Sequence, residues 1–430
     1  MKKVALHNLG CKVNAYETEA MQEMLEHAGY EIVPFQEGAD IYVINTCTVT
    51  NIADRKSRQM LHRARKMNPD AVVVAAGCYV QAQAEKQVID TCIDIVLGNN
   101  KKQDLLTALQ AYEEAHGDLR EVIDINHTKE YENLHLTKQG EHTRAYIKVQ
   151  DGCNQFCSYC IIPYARGRVR SRAKEDVVAE VTDLAKNGYQ EVVLTGIHLS
   201  SYGIDFENED NLLSLIRAVH EIEGIKRIRL GSLEPRIITE EFVQAIAALP
   251  KMCPHFHLSL QSGCNETLKR MNRRYTSEEF YEKCEILRKY FEKPALTTDV
   301  IVGFPQETEE EFETTYEFLK KICFYETHIF KYSKREGTKA AVMQGQIPEQ
   351  IKAKRSARLI ELGEKNRRAY EESFLGKTVE VLVEEKSDVN GKEMWTGHTK
   401  EYMKIALESE KNLQNCILNV QIKDGREIIH

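Results

Sequence analysis

Three cysteines lie within eight positions in the segment DGCNQFCSYC, residues 151–160: Cys153, Cys157 and Cys160. Thiolates bind iron and zinc, and a CxxxCxxC loop can hold three irons of a cubane [4Fe-4S] cluster. The fourth iron then has no protein ligand and can bind a substrate. The alternative is a zinc site that takes a fourth ligand from elsewhere, such as His142 or His198. Zinc sites usually pair one CxxC with another, and this segment has one, so the spacing favours the cluster.

A second set of three cysteines is spread over the first eighty residues. Cys11, Cys47 and Cys78 come just after the segments ALHNLG, YVINT and VVVAAG, each of which contains a predicted strand. Because the carboxyl ends of parallel strands face one crevice, the three thiols should converge there as a second cluster site, again one ligand short. The alternative is three small, buried, apolar cysteines. Gly10 and Gly77 permit tight turns before two of the three, which favours the site.

The other six cysteines occur mostly singly in apolar or helical patterns, and we interpret them as core residues. They are Cys92, Cys253, Cys264, Cys284, Cys323 and Cys416.

Strands and helices alternate through residues 1–117, which predicts an open parallel sheet with helices on its faces. The predicted strands are Lys3–Leu6, Ile41–Asn45, Ala71–Ala76 and Ile93–Leu97, and the predicted helices are Ala15–Ala28, Asn51–Lys66 and Gln81–Ile89. Residues 118–142 are polar and rich in His and Glu, which predicts a linker.

The alternation restarts in residues 143–374 with six further strand–helix units. The predicted strands are Arg144–Val149, Glu191–Leu194, Arg227–Leu230, His255–Ser259, Leu296–Val302 and Tyr325–Phe330. This α/β pattern predicts a partial (β/α)6 barrel of the TIM type, with functional residues at the carboxyl ends of its strands. Residues 375–430 have short strands and an Asn390–Gly391 turn, which predicts a small β-barrel.

Composition limits the class of protein. The chain has 430 residues, a net charge of −8, a pI of about 6.0 and twelve cysteines. No segment has the roughly 18 uncharged apolar residues of a membrane span, and residues 1–8 lack the apolar run of a signal peptide. The cysteines are too sparse for a disulfide scaffold. These features predict a cytoplasmic protein without membrane association.

Six separated motifs resemble the radical S-adenosylmethionine methylthiotransferases. They are LGCKVNAYETE, DGCNQFCSYCIIPYARGRVRSR, LTGIHLSSYG, SLEP, HLSLQSGCNETLKRMNRRYT and DVIVGFPQET. The resemblance covers essentially the whole chain and includes the N-terminal cysteines and a C-terminal barrel like the TRAM RNA-binding domain. Cys264 departs from the pattern, because a serine or similar small residue is usual there.

The first motif resembles the branch of that family that acts on threonylcarbamoyladenosine beside the anticodon of tRNA. At Lys12 and Val13, the branch acting on isopentenyladenosine typically has glutamine and methionine, and the branch acting on a ribosomal protein has lysine and asparagine. Outside these enzymes, a zinc-dependent RNA-binding protein without catalysis remains an alternative.

The resemblance implies two [4Fe-4S] clusters and S-adenosylmethionine as cofactors. The cluster on Cys153, Cys157 and Cys160 would bind and reductively cleave S-adenosylmethionine. The cluster on the N-terminal cysteines would carry the sulfur that becomes a methylthio group on the adenine ring carbon between the two pyrimidine nitrogens. The implied partners are a tRNA, an electron donor such as flavodoxin or ferredoxin, and a sulfur source.

Residues at the ends of the barrel strands are candidates for contact with S-adenosylmethionine, with strand-end packing or capping as the alternative. They are Thr195, Gly196, Glu234, Ser259, Gln261 and Gly303.

Two basic runs next to the cysteines predict a path for an RNA backbone. The candidates are Arg55, Lys56, Arg58, Arg166, Arg168, Arg170 and Arg172. Trp395 and Tyr402 are candidates for stacking on bases, with core packing as the alternative.

We predict that anaerobic reconstitution of the full chain gives iron and sulfide for two cubanes, about eight of each per chain. Iron and acid-labile sulfide assays check this. Iron for a single cubane in the fully reconstituted chain would contradict the two-site interpretation.

Overall fold

The computed structural model of the protein describes residues 1–84, 90–115, 117, 119–138, 140, 143–423 and 425–430. None of the helices in this part of the chain combines the length and the apolar character that a bilayer span requires.

The N-terminal region is a six-stranded parallel sheet with the strand order β2-β1-β3-β4-β5-β6. The strands are β1 (Lys3–Asn8), β2 (Glu31–Ile32), β3 (Ile41–Thr46), β4 (Val72–Gly77), β5 (Ile95–Leu97) and β6 (Leu119–Glu121). The helices are α1 (Lys12–His27), α2 (Asn51–Met67), α3 (Cys78–Ala84) and α4 (Leu105–Ala115). The predicted parallel α/β sheet is confirmed.

Burial explains why these segments form a layered sheet. All six residues of β3 are buried, as expected for a strand covered on both faces. Met21 of α1 packs on one face with Val43, and Leu61 of α2 packs on the other face with Ile44.

Sequence patterns missed two short strands of this sheet, β2 and β6. β2 has only two residues, and two of the three residues of β6 are charged, whereas the equally short β5 lies in an apolar run. β6 lies inside the predicted linker, so the sheet continues past residue 117. The predicted helix Gln81–Ile89 begins earlier, at Cys78, and its residues 85–89 lie outside the described residues.

Six parallel strands form a partial barrel, which we call the half barrel. The six strands are β7 (Arg144–Asp151), β9 (Glu191–Gly196), β10 (Arg227–Leu230), β11 (His255–His257), β12 (Ala295–Val302) and β13 (Glu326–Lys331). A short strand, β8 (Arg170–Ser171), flanks β7. β9 pairs in parallel with β7 and β10, and β12 pairs in parallel with β11 and β13. Isolated parallel bridges at Ile228–Met252 and Leu233–Leu258 join these two sets of three strands. The predicted partial (β/α)6 barrel is confirmed, and β8 is an additional antiparallel partner of β7.

Helices cover the outside of the half barrel. They are α6 (Lys174–Lys186), α7 (Leu212–His220), α8 (Glu240–Ala247), α9 (Asn265–Arg270), α10 (Ser277–Tyr290), α11 (Glu309–Ile322) and α12 (Glu349–Glu372), whereas the short α5 (Ile162–Ala165) contacts α3. Ile147 and Val149 of β7 pack with Val181 of α6 in this outer core. Because side chains alternate along a strand, Tyr146 and Lys148 face the inside, which we call the lumen.

The C-terminal region is a curled antiparallel sheet with the order β16-β15-β14-β17. Its strands are β14 (Thr378–Val389), β15 (Lys392–Thr399), β16 (Lys404–Leu407) and β17 (Ile417–Gln421). Trp395 is buried in the core of this sheet, so it packs rather than offering a surface for bases.

The turn that contains Tyr402 closes the lumen at the amino ends of the strands. The Tyr402 ring stacks on His255 of β11 at 4.9 Å and on His398 at 4.5 Å. The guanidiniums of Arg144 and Arg229 lie 5.0 and 4.8 Å from the same ring centroid. Tyr402 therefore packs against the half barrel, in line with the core-packing alternative given from the sequence. The open end of the lumen is the end that carries the cysteine loop.

Gly152 sets the turn between β7 and that loop, and we predict that Gly152→Ala disrupts it. Gly152 has φ +70, and a Cβ there would lie 1.8 Å from the Arg168 carbonyl oxygen. Gly29 also has positive φ (+85) but has no atom within 4 Å of its Cβ position, so Gly29→Ala is the matched control.

Gly29→Ala should lower stability by about 1 kcal/mol through backbone strain alone and keep the full iron content. Gly152→Ala should lower the midpoint of thermal unfolding further and remove about half of the reconstituted iron. Equal melting points and equal iron in the two variants would show that the turn is not restricted by this close approach.

Candidate site between two cysteine trios

The N-terminal trio, Cys11, Cys47 and Cys78, lies at one edge of the parallel sheet. Cys11 is the N-cap of α1 just after β1, Cys47 follows β3, and Cys78 begins α3 directly after β4. These strands are neighbours, so their carboxyl ends meet as expected from the sequence. Gly10, with φ +115, allows the closest approach: a Cβ there would lie 3.0 Å from the Cys47 Cβ.

The central trio, Cys153, Cys157 and Cys160, lies in the loop between β7 and α5. The Cys153 N–H donates to the Gly167 carbonyl at 3.0 Å, which fixes the start of the loop. The Arg273 guanidinium donates to the Cys157 Sγ at 3.3 Å and to the Ser259 carbonyl at 3.0 Å. Arg273 therefore joins the cysteine loop to the end of β11.

In each trio the sulfur atoms lie too far apart to bind one metal ion together. Among the described residues, only two sets of three potential ligands have their atoms within 4.8 Å of one another, and neither contains a cysteine of the trios. The two sets are His62–Asp90–Cys92 and His257–Asp299–His328. Thiolates on one tetrahedral zinc lie about 3.8 Å apart, whereas each thiolate of a cubane binds a different iron.

The two histidines considered as a fourth zinc ligand give that alternative no support. His142 lies outside the described residues. His198 accepts or donates one hydrogen bond at Nδ1 to Ser201 Oγ at 2.6 Å, and burial lowers its pKa to about 4. The donor sets and their spacing fit [4Fe-4S] clusters better than zinc.

Burial governs the acidity of the metal-free thiols. It raises the pKa of Cys47 and Cys153 to about 11 and of Cys160 to about 12, and it also raises the pKa of Cys11. Thiols are therefore the stable form without metal, and bound iron must displace their protons.

Arg166 connects the two halves of the site. Its Nε–H donates to the Cys78 Sγ at 3.2 Å, and its Nη2 donates to the Asn14 Oδ1 at 2.7 Å. Its Nη1 donates to Glu17 at 2.9 Å and to Asp151 at 3.0 Å. One side chain from the loop after β7 thus holds a cysteine of the N-terminal trio, α1 and the end of β7.

Charge pairing makes this buried arrangement possible. Lys148 lies 2.7 Å from Glu17 and 2.8 Å from Asp151, and Lys102 lies 3.3 Å from Glu17. Burial alone would raise the pKa of Glu17, but Arg166, Lys102 and Lys148 outweigh it and hold that pKa below its usual range. The carboxylates are therefore ionised at neutral pH.

The basic path predicted after the central trio is wrong for three of its four arginines. Arg166, Arg170 and Arg172 are at most 1% exposed. Arg170 lies 3.7 Å from Asp151, and Arg172 forms an ion pair with Glu180. These guanidiniums serve buried carboxylates and cannot reach an RNA backbone in this arrangement.

The remaining basic candidates stay accessible. Arg55, Lys56 and Arg58 are exposed on α2, a few residues beyond Cys47. Arg168 is half-buried, with its guanidinium 4.5 Å from the ring centroid of Phe156 in the cysteine loop.

The candidates for contact with S-adenosylmethionine lie on the rim that carries the central trio, and their predicted role stays a prediction. Thr195 and Gly196 end β9, and Gly196 approaches Gln150 closely, since a Cβ would lie 2.8 Å from its Oε1. Gly303 has φ +70, and its N–H donates to Glu307 at 2.8 Å.

Three further rim candidates follow β10 and β11. The Glu234 carboxylate pairs with Arg236 at 2.8 Å and caps a 3₁₀ helix, in line with the capping alternative. The Ser259 carbonyl accepts from Tyr275 at 2.6 Å, and Gln261 is buried with φ +73.

Sequence reasoning missed the residues that hold the trios. Arg273, Glu17 and Asp151 lie within the motifs quoted above, but no sequence pattern assigns a role to any of them. Their partners lie 116, 149 and 15 positions away, so no local signal connects them.

Lys12, next to Cys11, lies beside the lumen. Its Nζ is 5.9 Å from the ring centroid of Tyr146 on β7. The side chain is exposed at its surface, but the protein walls around it displace enough water to lower its pKa; Tyr402 and Glu191 oppose this shift, and Arg144 and Arg229 add to it. Lys12 also contributes to the low pKa of His255, after burial and Arg229. These observations describe a side chain in an open space between protein walls.

Comparison with known proteins agrees with this architecture. Residues 147–319 match the Radical SAM superfamily, and residues 3–98 match Uncharacterized protein family UPF0004. A threonylcarbamoyladenosine tRNA methylthiotransferase of Bacillus subtilis is 42% identical over 98% of this chain and 94% of its own length. The corresponding protein of Aquifex aeolicus is 44% identical over 90% of this chain and 93% of its own length.

More distant proteins share the family or the fold. A tRNA-2-methylthio-N(6)-dimethylallyladenosine synthase of Alkaliphilus oremlandii is 36% identical over 99% of this chain and 91% of its own length. The radical S-adenosylmethionine methyltransferase TsrM of Kitasatospora setae has a similar fold, with a TM-score of 0.57, 16% identity, and coverage of 77% of this chain and 73% of that one. With full-length relatives above 40% identity, the chain belongs to the radical S-adenosylmethionine methylthiotransferase family.

Proposed function

We propose that this protein is a tRNA methylthiotransferase that inserts a methylthio group at ring carbon 2 of N6-threonylcarbamoyladenosine next to the anticodon. The observation that carries the proposal is the pair of three-thiol sites held against each other through Arg166. A reaction that adds sulfur to an inert ring carbon needs one centre for sulfur and another for activation of the ring.

The cofactors are two [4Fe-4S] clusters and S-adenosylmethionine. When bound, they supply the sulfur, the methyl group and the radical chemistry that activates the ring carbon. The N-terminal trio holds one cluster and the central trio holds the other. The chain's own part is to fix the two sites relative to each other and to exclude water.

Hydrogen bonds from two arginines orient the cluster ligands. Arg166 donates to Cys78, and Arg273 donates to Cys157. Such contacts to ligand sulfur tune a cluster and hold its ligand in place. Thr195, Gly196, Glu234, Ser259, Gln261 and Gly303 form the rim where S-adenosylmethionine binds.

The choice of substrate branch rests on the relatives. Those named for threonylcarbamoyladenosine are 42–44% identical, and a relative named for dimethylallyladenosine is 36% identical. Isopentenyladenosine in tRNA and a ribosomal protein are the alternative substrates, and the zinc-dependent RNA-binding protein is the non-enzyme alternative. The thiol spacing, too wide for one ion, argues against the last.

The tRNA backbone approaches over α2, where Arg55, Lys56 and Arg58 extend into solvent beside the N-terminal trio. Arg168 lies at the mouth of the central trio. The further partners are a cytoplasmic electron donor such as flavodoxin or ferredoxin, which would serve the group held by the central trio, and a sulfur source, which would serve the group held by the N-terminal trio.

Replacing Cys11, Cys47 and Cys78 together with alanine should remove one cluster and abolish methylthiolation. Reductive cleavage of S-adenosylmethionine should persist, because Cys153, Cys157 and Cys160 remain. Mass spectrometry of tRNA nucleosides and chromatography of 5′-deoxyadenosine measure the two activities on reconstituted protein.

Cys92, Cys253 and Cys284 provide a matched control, since they are buried and lie outside both trios. Their joint replacement with alanine should cost about 1 kcal/mol or somewhat more per thiol in packing and keep both clusters. A folded N-terminal triple variant with full methylthiolation would show that Cys11, Cys47 and Cys78 are core residues.

A further inference from the structure

The lumen of the half barrel has a set of cations that are almost all paired. Arg144 lies 3.1 Å from Glu384, and Arg229 lies 2.9 Å from Glu191. Arg227 lies 2.9 Å from Glu380. Each guanidinium therefore already has a carboxylate partner.

Lys12 differs from these arginines. Across the part of the chain that the structure describes, no carboxylate lies within 4.0 Å of its ammonium group. The group lies 5.9 Å from the centroid of the Tyr146 ring on the inner face of β7, and it is within electrostatic range of Arg144, Arg229 and His255. Within the described residues Lys12 has no direct ion-pair partner, and the Glu191 carboxylate that acts on it from further away is already paired with Arg229.

The opposite wall carries two histidines and an aspartate. His257, Asp299 and His328 lie on the neighbouring strands β11, β12 and β13, with His257 Nε2 3.3 Å from Asp299 Oδ2. His257 is two residues before Ser259, and Arg273 links Ser259 to Cys157 at the rim. The set of His257, Asp299 and His328 therefore lies about 7 Å below the rim, at the usual rise per strand residue. Phe330 and Ile301 are register partners one step nearer the rim, and Phe330 is 49% exposed.

This arrangement suits a substituent that is polar and anionic at its end. The threonylcarbamoyl group has a carboxylate, a hydroxyl and two N–H groups, whereas the isopentenyl group has only carbon and hydrogen. The Lys12 ammonium is exposed to this open space and has no ion-pair partner, so a carboxylate that reaches it gains a charge-assisted hydrogen bond. An isopentenyl group makes no such bond and would cover the ammonium with hydrocarbon, which discriminates against it.

We infer that Lys12 binds the carboxylate of the threonylcarbamoyl group and thereby determines the substrate. The inference rests on the proposed function, because it concerns the substituent of that substrate. Since Lys12 directly follows Cys11, a carboxylate held there also places the nucleoside beside the N-terminal trio. His257, Asp299 and His328 face the same space and can bond the hydroxyl and N–H groups.

The experiment compares two synthetic anticodon stem–loop RNAs on reconstituted enzyme. One carries threonylcarbamoyladenosine, and the other carries its methyl ester, which keeps the shape and removes the charge. The proteins are the wild type, Lys12→Met, Lys12→Arg and Lys186→Met. Lys186 is an exposed lysine on α6 and controls for loss of one positive charge.

We expect wild type and Lys186→Met to prefer the acid RNA over the ester by about 10- to 100-fold in kcat/KM and in affinity. Lys12→Met should lose this preference, because the affinity and kcat/KM should fall for the acid RNA only. Lys12→Arg should keep part of the preference. Iron content and melting temperature check that each variant is folded and loaded. This double-mutant cycle isolates the ammonium–carboxylate pair.

Equal losses for both RNAs with Lys12→Met would overturn the inference and indicate a phosphate contact or a structural role. A wild type that does not distinguish acid from ester in binding would also overturn it. A wild type that binds the acid RNA selectively but adds no methylthio group to it would instead contradict the proposed function and leave the role of Lys12 in binding intact.

Discussion

The Arg166 guanidinium is fully buried, and its donors are divided between two parts of the molecule that are far apart in sequence. Nε serves Cys78 at the edge of the N-terminal sheet, while Nη1 serves Asp151 at the end of β7 and Glu17 on α1. A planar fork with fixed donor directions can satisfy these acceptors only if both parts keep one relative position. Loss of one partner from such a buried group of charges costs about 3–5 kcal/mol, so the arrangement strongly favours one docking geometry.

The position of the chemistry follows from how the half barrel is closed. At the amino ends of the strands, the Tyr402 ring fills the space between His255, Arg144 and Arg229. The open end is the one where parallel strands present loops, and both trios lie there. The lumen below them is therefore closed at its far end, and access to it is from the side of the cysteine loop.

Sequence patterns predicted the parts of this site that depend on local rules. The convergence of Cys11, Cys47 and Cys78 follows from one rule, that parallel strands end on the same side, and the strands were long enough to recognise. β2 was missed because two residues carry no periodicity, and β6 was missed because its three residues include only one apolar side chain, unlike the equally short β5. The alternating arginines from Arg166 to Arg172 were misinterpreted as a surface, because exposed and buried arginines are identical in a sequence. Only the fold brings Glu17, Asp151 and Glu180 to them.

The separation of Glu17 and Arg166 along the chain has a consequence for synthesis. The two residues are 149 positions apart. At about 5–20 residues per second, the ribosome produces Arg166 roughly 7–30 s after Glu17. During that interval Glu17 can pair with Lys102 of the N-terminal region, but it lacks Lys148 and Arg166. The contact from Arg166 to Cys78 and the full pairing of Glu17 therefore form only when the half barrel has been translated and has docked, so the surroundings of the N-terminal trio are completed last.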